Sequence, residues 1–247
     1  MANLVIDIGN TYTKVAVFDN DTLVYVNQYT AFNANDLLTC LDKYAIKKAI
    51  VSTVKNKAEE WETVLNGRAY LTYFNAATFT GINNKYLTPQ TLGADRLAAV
   101  TGANYLYPAD NNLVIDGGTC ITYDFIDAGK NYFGGSISPG LNMRYSALNY
   151  YTSALPMVNS SDNFKENYGN DTTTAIRSGV QNGIKHELTG FIESYIKSHQ
   201  QINIILTGGD SIFFDTLLKN SIFAPYIKIE PYLVLKGLNA AIQQQND

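Results

Sequence analysis

A short segment near the N-terminus carries side chains that are suited to binding phosphate. Asp7 ends an apolar run, Gly9 lies in the turn that follows, and Lys14 lies in the next apolar run. Gly9 lets the backbone approach anionic oxygens, and Lys14 adds a positive charge. The side chains of Asn10 and Thr11 and the N–H groups of the turn can donate hydrogen bonds. This first Asp-Gly turn therefore predicts a phosphate site in which Asp7 holds the magnesium ion of a nucleotide, although Asn, Gly and Asp are also common in ordinary tight turns.

A second Asp-Gly turn follows a repeated sequence. Residues 113–116 repeat residues 4–7 letter for letter, as Leu-Val-Ile-Asp. The copies lie too far apart for a solenoid, whose period is about 20–50 residues, and a duplicated domain fits better. The second turn contains Asp116, Gly118 and Thr119. We expect the two turns to face each other across a cleft and to hold a polyphosphate from both sides.

A third glycine-containing segment lies between an apolar run and a helical pattern. It reads Thr207-Gly208-Gly209-Asp210. Gly208 and Gly209 permit the close approach of a flat ligand, and a helix N-terminus favours anions. A plain strand-to-helix turn is the better explanation of the segment when it is taken alone. Together with the two Asp-Gly turns, it predicts a nucleotide cleft.

A fourth candidate group surrounds the start of a predicted helix. Asp95 lies in the first turn of this helix, where a carboxylate also stabilises the helix dipole, and that structural role is the simpler alternative. Tyr86, Gly93 and Arg96 lie close to it in sequence. A phenol, a turn and a guanidinium in this arrangement can surround a small ligand that carries a carboxylate.

The elements that position these residues alternate between strands and helices. Strands are predicted at 4–8, 12–18, 23–29, 49–54, 70–74, 113–116, 121–126, 132–137 and 202–206. Helices are predicted at 35–44, 57–65, 94–105, 141–152, 172–198, 212–219 and 232–243, and residues 81–92 are predicted to form a loop. The pattern predicts two similar α/β halves, each with a mixed β-sheet flanked by helices, as domains 1–110 and 111–247.

Composition excludes several classes of protein. The 247 residues contain 18 Lys and Arg against 22 Asp and Glu, a net charge of −4, so nucleic-acid binding is not expected. No apolar run reaches the roughly 18 residues of a membrane-spanning helix, and a cytoplasmic protein is expected. Two cysteines and two histidines argue against a disulfide framework, a zinc site and a Ser-His-Asp hydrolase.

Five motifs in this order resemble the superfamily of actin, the heat-shock chaperones and the sugar and acetate kinases, whose ribonuclease-H-like halves clamp ATP. Within it, the chain is most similar to the type III pantothenate kinases. The motifs are Asp7-x-Gly-Asn-Thr-x-x-Lys14, Gly93-Ala94-Asp95-Arg96, Asp116-x-Gly-Thr-x-x-Thr122, Gly134-Gly135-x-Ile-x-Pro-Gly140 and Thr207-Gly-Gly-Asp210. The departure from the family pattern is Cys120, where the family usually has Ala. This change is small and is expected to leave the turn intact.

The resemblance implies a reaction in which Mg²⁺-ATP phosphorylates the primary hydroxyl of pantothenate, giving 4′-phosphopantothenate at the start of coenzyme A synthesis. It implies that Asp95 is the catalytic base. It further implies a monovalent cation, K⁺ or NH₄⁺, at Asp116 and an ATP phosphate contact at Thr119. The residues expected to line the pantothenate pocket are Tyr86, Gly93, Ala94, Asp95, Arg96 and Thr172.

The resemblance also implies a homodimer in which Thr172 reaches the site of the partner subunit. The register of this threonine is open among Thr172, Thr173 and Thr174, and a helix N-cap explains a threonine here as well. Two other functions are compatible with the pattern. One is a regulatory protein that keeps the pocket, and the other is a kinase for a different hydroxy acid or a polyphosphate.

Overall fold

The structure is a computed structural model that describes residues 2–53, 60–161, 163–199 and 201–245. The chain forms two compact units. The first comprises Met1–Pro108, Lys130–Tyr132 and Tyr232–Asp247, and the second comprises Ala109–Gly129 and Phe133–Pro231.

The first unit is built on a five-stranded mixed sheet. Its strands are β1 (Ala2–Ile8), β2 (Thr13–Asp19), β3 (Thr22–Tyr29), β4 (Ile46–Thr53) and β5 (Tyr70–Tyr73). Their spatial order is β3-β2-β1-β4-β5, with β2 antiparallel to β1 and β3, and β4 parallel to β1 and β5. The predicted strand 49–54 ends at Val54, which lies outside the described residues. A mixed sheet is the arrangement that the sequence predicts.

Side-chain alternation along β1 gives its two faces different roles. Leu4 and Ile6 belong to the apolar core on one face. Asn3, Val5 and Asp7 point to the other face, where the amide of Asn3 donates a hydrogen bond of 3.0 Å to Asn239 in the C-terminal helix. Asp7 therefore shares a face with the helices that pack on this side of the sheet.

The helices of the first unit are α1 (Ala34–Lys43), α2 (Glu60–Asn66), α3 (Ala94–Leu106) and, from the C-terminus, α8 (Leu233–Gln244). Residues 57–59 of the predicted helix 57–65 lie outside the described residues. The predicted loop 81–92 contains a two-residue strand, β6 (Asn83–Asn84), and a 3₁₀ turn (Pro89–Thr91), and β6 pairs with Asn131 and Tyr132.

Helix α8 packs along α3, although the sequence boundaries assign residues 111–247 to the second half. Gly102 and Gly237 lie where these two helices meet, and a β-carbon on Gly237 would come within 1.8 Å of the carbonyl oxygen of Ala98. The close approach of the two backbones explains why the end of the chain is grouped with the first unit. This tertiary contact has no local signal in the sequence.

The second unit repeats the strand order of the first. Its strands are β7 (Asn111–Gly117), β8 (Cys120–Ile126), β9 (Asn131–Pro139), β10 (Ile202–Thr207) and β11 (Ile227–Ile229), in the spatial order β9-β8-β7-β10-β11. The first two residues of β9, which pair with β6, are grouped with the first unit. Strand β7 is antiparallel to β8 and parallel to β10, as β1 is to β2 and β4. The three-residue strand β11 is absent from the prediction, because so short a run carries no periodicity.

The helices of the second unit are α4 (Leu141–Tyr151), α5 (Thr172–Arg177), α6 (Gly183–Ser198) and α7 (Ser211–Leu218). The predicted helix 172–198 is present as α5 and α6, joined by a π-helical segment, Ser178–Asn182. Its apolar stripe, including Ile184, Leu188 and Ile192, belongs to the core of this unit. Among the described residues, no helix combines the length and the apolar character that crossing a membrane requires.

Candidate active site

The first Asp-Gly turn connects β1 to β2. Asp7 lies opposite Lys14 in the antiparallel ladder, and the N–H of Gly9 donates to the carbonyl oxygen of Tyr12 over 3.0 Å. Asn10 and Thr11, at the tip of the turn, are exposed. The turn therefore offers side-chain and backbone donors to a ligand, and it holds one carboxylate and one ammonium group on paired residues.

Asp7 has an unusual electrostatic environment. Burial raises its pKa to about 6, the positive charge of Lys14 opposes this effect, the negative charge of Asp95 adds to it, and a hydrogen bond with Ser52 opposes it. Ser52 is the residue of β4 that pairs with Asp7. The structure thus brings Asp7, Lys14 and Asp95 within electrostatic reach of one another. A bound cation would offset the cost of ionising this carboxylate in its buried environment and would reduce its repulsion from Asp95.

Asp95 lies in the first turn of α3 and is exposed. The N–H of Arg96 donates to its Oδ1 over 2.8 Å, which fixes the carboxylate at the start of the helix. Gly93 is the N-cap residue, and a β-carbon there would lie 2.6 Å from the same oxygen. Ala94 is the first helical residue and is partly buried. The absence of a side chain at Gly93 therefore leaves room for the Asp95 carboxylate. One oxygen of that carboxylate accepts a hydrogen bond from the backbone N–H of Arg96.

Arg96 and Tyr86 form the other part of this group. The guanidinium of Arg96, a residue that is only 6% exposed, lies 5.7 Å from the ring centre of Tyr86. The Tyr86 ring stacks on Tyr132, with centres 6.4 Å apart and planes 8° apart. Cation–π contact and stacking hold the guanidinium in a fixed direction. The predicted grouping of Tyr86, Gly93, Asp95 and Arg96 is thus present within the first unit.

The second Asp-Gly turn connects β7 to β8. Asp116 pairs with Thr122 on β8 and with Thr207 on β10, and the N–H of Gly118 donates to the carbonyl oxygen of Cys120 over 2.9 Å. Gly118 and Thr119 are exposed at the tip. The predicted pair of matching turns is therefore present in the two sheets.

The third glycine segment packs directly on the second turn. Gly208 has φ +83°, a left-handed conformation that favours glycine, and a β-carbon there would lie 2.2 Å from Oδ1 of Asp116. The N–H of Asp210 donates to the carbonyl oxygen of Gly117 over 3.0 Å, and burial raises the pKa of the Asp210 carboxyl. Gly209 is exposed, with open space at its α-carbon. Asp116, Gly208 and the second turn thus form one tightly packed group.

The threonines at the start of α5 differ in their contacts. Asp171 is the N-cap, its carboxylate accepts from the N–H of Thr174, and the N–H of Asp171 in turn donates to the hydroxyl of Thr174. These bonds lower the pKa of Asp171. The hydroxyl of Thr174 is therefore part of a capping box. Thr172 is exposed at the first helical position, and Thr173 is partly buried.

Two residues in the site environment are absent from the sequence prediction. Ser52 pairs with Asp7 as Thr207 pairs with Asp116 in the second sheet, so aligning the two halves would have found it. Tyr132 supports Tyr86 from a distant part of the chain, and the sequence carries no signal for that contact.

The donor set suits a magnesium ion that a nucleotide brings with it. Within 2–53, 60–161, 163–199 and 201–245, no three His, Cys, Asp or Glu side chains are grouped to hold a metal. Mg²⁺ in nucleotide sites takes one or two carboxylates together with phosphates and water. The partly buried carboxylate of Asp7, with its raised pKa, fits such a site.

The chain is similar to known proteins over nearly its whole length. Residues 3–194 match the family model described as type III pantothenate kinase. The type III pantothenate kinase of Bacteroides fragilis strain YCH46 is 43% identical over 245 residues, which cover 99% of this chain and 98% of that protein. The type III pantothenate kinase of Phocaeicola vulgatus is 43% identical over 238 residues, which cover 96% of this chain and 96% of that protein.

Among solved structures, the chain is similar to the activator of the 2-hydroxyisocaproyl-CoA dehydratase from Clostridium difficile, which was solved with bound ADPNP. The TM-score is 0.54 at 13% identity, over 99% of this chain and 97% of that one. At this identity the likeness concerns the fold. The predicted fold, with a mixed sheet in each half, is confirmed.

Proposed function

Because the chain belongs to the type III pantothenate kinase family, we propose that it transfers the γ-phosphoryl group of ATP to pantothenate. The product is 4′-phosphopantothenate, at the start of coenzyme A synthesis, and the reaction takes place in the cytoplasm, where ATP is supplied. The observation that carries the proposal is the grouping of Asp7, Lys14 and Asp95 in a chain that matches this family over residues 3–194. Phosphoryl transfer asks a protein mainly for positioning and charge stabilisation, and these groups supply both.

The first Asp-Gly turn is assigned to the phosphates of ATP. Backbone N–H groups that follow Gly9 in the turn and the exposed side chains of Asn10 and Thr11 donate to phosphate oxygens, and Lys14 contributes its charge. Asp7 holds the magnesium ion, which neutralises charge on the phosphates when it is bound. The raised pKa of Asp7 supports this role, because a carboxylate that is costly to ionise gains most from a cation.

The second Asp-Gly turn and the third glycine segment are assigned to the same nucleotide. Thr119 presents an exposed hydroxyl at the tip of its turn, the exposed Gly118 beside it leaves room for phosphate oxygens, and Gly208 and Gly209 leave the backbone open to a flat group. Asp116 is assigned to a monovalent cation, K⁺ or NH₄⁺, because its carboxylate lies near the end of β7 with the carbonyl oxygen of Gly117 close by.

Asp95 is assigned as the general base. The proton of the primary hydroxyl of pantothenate passes to its carboxylate while the hydroxyl oxygen attacks the γ-phosphorus. The bond from that phosphorus to the bridging oxygen of ADP breaks, and ADP leaves with the bond electrons. The hydrogen bond from Arg96 engages one carboxylate oxygen, which leaves the other for the substrate.

The Arg96–Tyr86 pair is assigned to the carboxylate of pantothenate. A guanidinium held against a ring binds a carboxylate with two hydrogen bonds in a fixed plane. Gly93 and Ala94 line the same pocket through their backbone. Thr172 is preferred for the substrate contact at α5, because the hydroxyl of Thr174 already serves the capping box.

A homodimer is part of the proposal, with Thr172 reaching the partner's site. Sedimentation of the purified protein is expected to give the mass of a dimer. A monomer at all concentrations would remove the assignment of Thr172 to the partner's site.

The proposed reaction is tested by ADP release from Mg²⁺-ATP with and without pantothenate, in K⁺, NH₄⁺ or Na⁺ alone. Turnover that requires pantothenate and one of the first two cations is expected. Asp116→Asn should weaken the dependence on that cation while the requirement for pantothenate persists. A folded protein that binds pantothenate or ATP without turnover would instead favour the regulatory function, and turnover with another hydroxy acid would identify a different acceptor.

A further inference from the structure

A polar network in the second unit lies directly behind the second Asp-Gly turn. The segment 138–140, at the end of β9, packs against this turn. The N–H of Gly140 donates to the carbonyl oxygen of Thr119 over 3.1 Å, and a β-carbon on Gly140 would lie 2.3 Å from the carbonyl oxygen of Gly118. The position of the turn is therefore set by the position of segment 138–140.

Arg144 holds this segment from the first turn of α4. Its Nε donates to the carbonyl oxygen of Pro139 and its Nη2 donates to the hydroxyl of Ser138, both over 2.8 Å. The same Nη2 contacts Oε2 of Glu187 on α6 at 2.5 Å. One guanidinium thus joins the segment to a helix that is distant in sequence.

Glu187 is also tied to the other side of the turn. The hydroxyl of Tyr123 donates to its Oε1 over 2.8 Å, and Tyr123 is fully buried in β8, the strand that leaves the turn. The side chains of Arg144 and Glu187 are only 20% and 21% exposed. Ion pairs sheltered in this way are screened less by solvent than those at an open surface. One carboxylate thus holds both β8 and, through Arg144, the end of β9.

We propose that Arg144 and Glu187 are positioning residues for ATP. Their ion pair fixes segment 138–140 and β8, and these two in turn fix Gly118 and Thr119 in the conformation that receives phosphate. The inference rests on the proposed function, which assigns Gly118 and Thr119 to the nucleotide. Neither side chain has to touch ATP.

The test compares Arg144→Met and Glu187→Gln with the wild type. Arg144→Met keeps most of the side-chain volume. It removes the charge and the hydrogen bonds to Ser138 and Pro139. Misplacement of a binding group by about 1 Å costs up to about 100-fold, so a rise of roughly 10- to 100-fold in KM for ATP is expected. The KM for pantothenate is expected to stay within about 2-fold, because the pantothenate residues of the first unit keep their contacts.

Glu187→Gln is expected to raise KM for ATP by a smaller factor, because the amide retains the shape and one acceptor. The double variant is expected to resemble Arg144→Met alone, since both substitutions interrupt one network. The matched control is Arg68→Met, which removes the arginine of an exposed ion pair. Arg68 lies 2.9 Å from Asp42, and the two side chains are 50% and 70% exposed. The control is expected to leave both KM values unchanged.

An unchanged KM for ATP in folded Arg144→Met would overturn the inference. So would a parallel rise in both KM values with a lower melting temperature, because that pattern indicates a structural role alone. If Arg144→Met does not fold, Glu187→Gln carries the same test. If the wild type shows no pantothenate-dependent turnover, the proposed function fails, and titration of the variants with a non-hydrolysable ATP analogue still decides the inference.

Discussion

The two Asp-Gly turns share a backbone plan but differ in charge. Asp7 lies opposite Lys14 and beside Ser52, whereas Asp116 lies opposite Thr122 and beside Thr207. The first turn therefore combines a carboxylate with an ammonium group, and the second combines a carboxylate with hydroxyls. Duplication kept the strand pairing that presents an acid at a strand end, while the neighbouring residues diverged.

The surroundings of the turns also differ. Gly208 and Gly140 lie so close to the second turn that a β-carbon on either one would collide with its backbone, and a β-carbon on Gly208 would also collide with Asp116. The first turn has Asn10, Thr11 and Tyr12 exposed at its tip. We infer that the first unit supplies charge to the reaction and that the second supplies rigid backbone donors. The predictions that follow test this division.

The largest difference is expected between Lys14→Met and Thr122→Val. Lys14 supplies a full charge to developing negative charge on phosphate, so its loss is expected to lower kcat by about 100- to 1000-fold. Thr122 can offer only a neutral hydrogen bond, worth about 1 kcal/mol, so its loss is expected to cost less than about 10-fold. Steady-state kinetics with both substrates checks the pair. Equal losses in the two variants would contradict a division of roles by charge.

A smaller effect is expected at the third glycine segment. Gly208→Ala places a β-carbon at φ +83° and 2.2 Å from Oδ1 of Asp116, so it is expected to destabilise the protein by about 2 to 3 kcal/mol. The matched control, Gly209→Ala, introduces its β-carbon into open space and is expected to be nearly neutral. Urea denaturation measures both. Equal stabilities would show that the second turn is not rigidly packed.

The smallest effect concerns the pH dependence of stability in the metal-free protein. The folded-state pKa of Asp7 is raised from 3.8 to about 6, so the folded protein binds more protons than the unfolded chain between these values. Its stabilising contribution is present below about pH 4 and is lost as the pH rises through about 6. At about pH 7.5, Asp7→Asn is therefore expected to stabilise the protein by about 1 to 2 kcal/mol while kinase activity is lost.

Urea denaturation in EDTA checks this prediction at about pH 4 and at about pH 7.5. The gain from Asp7→Asn should shrink at the lower pH, where wild-type Asp7 is protonated. A variant that is less stable than the wild type at both values would show that the Asp7 carboxylate is stabilised by its neighbours rather than destabilised by burial.

The fold could be predicted from the sequence because its signals are local. Apolar runs such as residues 4–6 mark central strands, and the repeated Leu-Val-Ile-Asp marks the duplication. Contacts between residues that are distant in the sequence could not be predicted. The packing of α8 on α3, the stacking of Tyr132 on Tyr86 and the Arg144–Glu187 pair each join residues that no periodicity connects.

For the candidate site, too, the sequence selects residues but not their contacts. Residue types and spacing were enough to select Asp7, Lys14 and Asp95, whose mutual electrostatic influence is visible in the structure. The roles of these residues remain predictions. The hydrogen bond between Ser52 and Asp7 has only the indirect signal that an alignment of the two halves gives, because β4 lies beside β1 only in the folded sheet.

The most direct measurement of the central claim is the formation of 4′-phosphopantothenate from Mg²⁺-ATP and pantothenate, followed by mass spectrometry for the wild type and for Asp95→Asn. The wild type is expected to form the product, and the variant is expected to bind both ligands but to lose at least about 100-fold in rate, as for removal of a general base. An Asp95→Asn variant with the wild-type rate, or a folded wild type that forms no phosphopantothenate, would contradict the account.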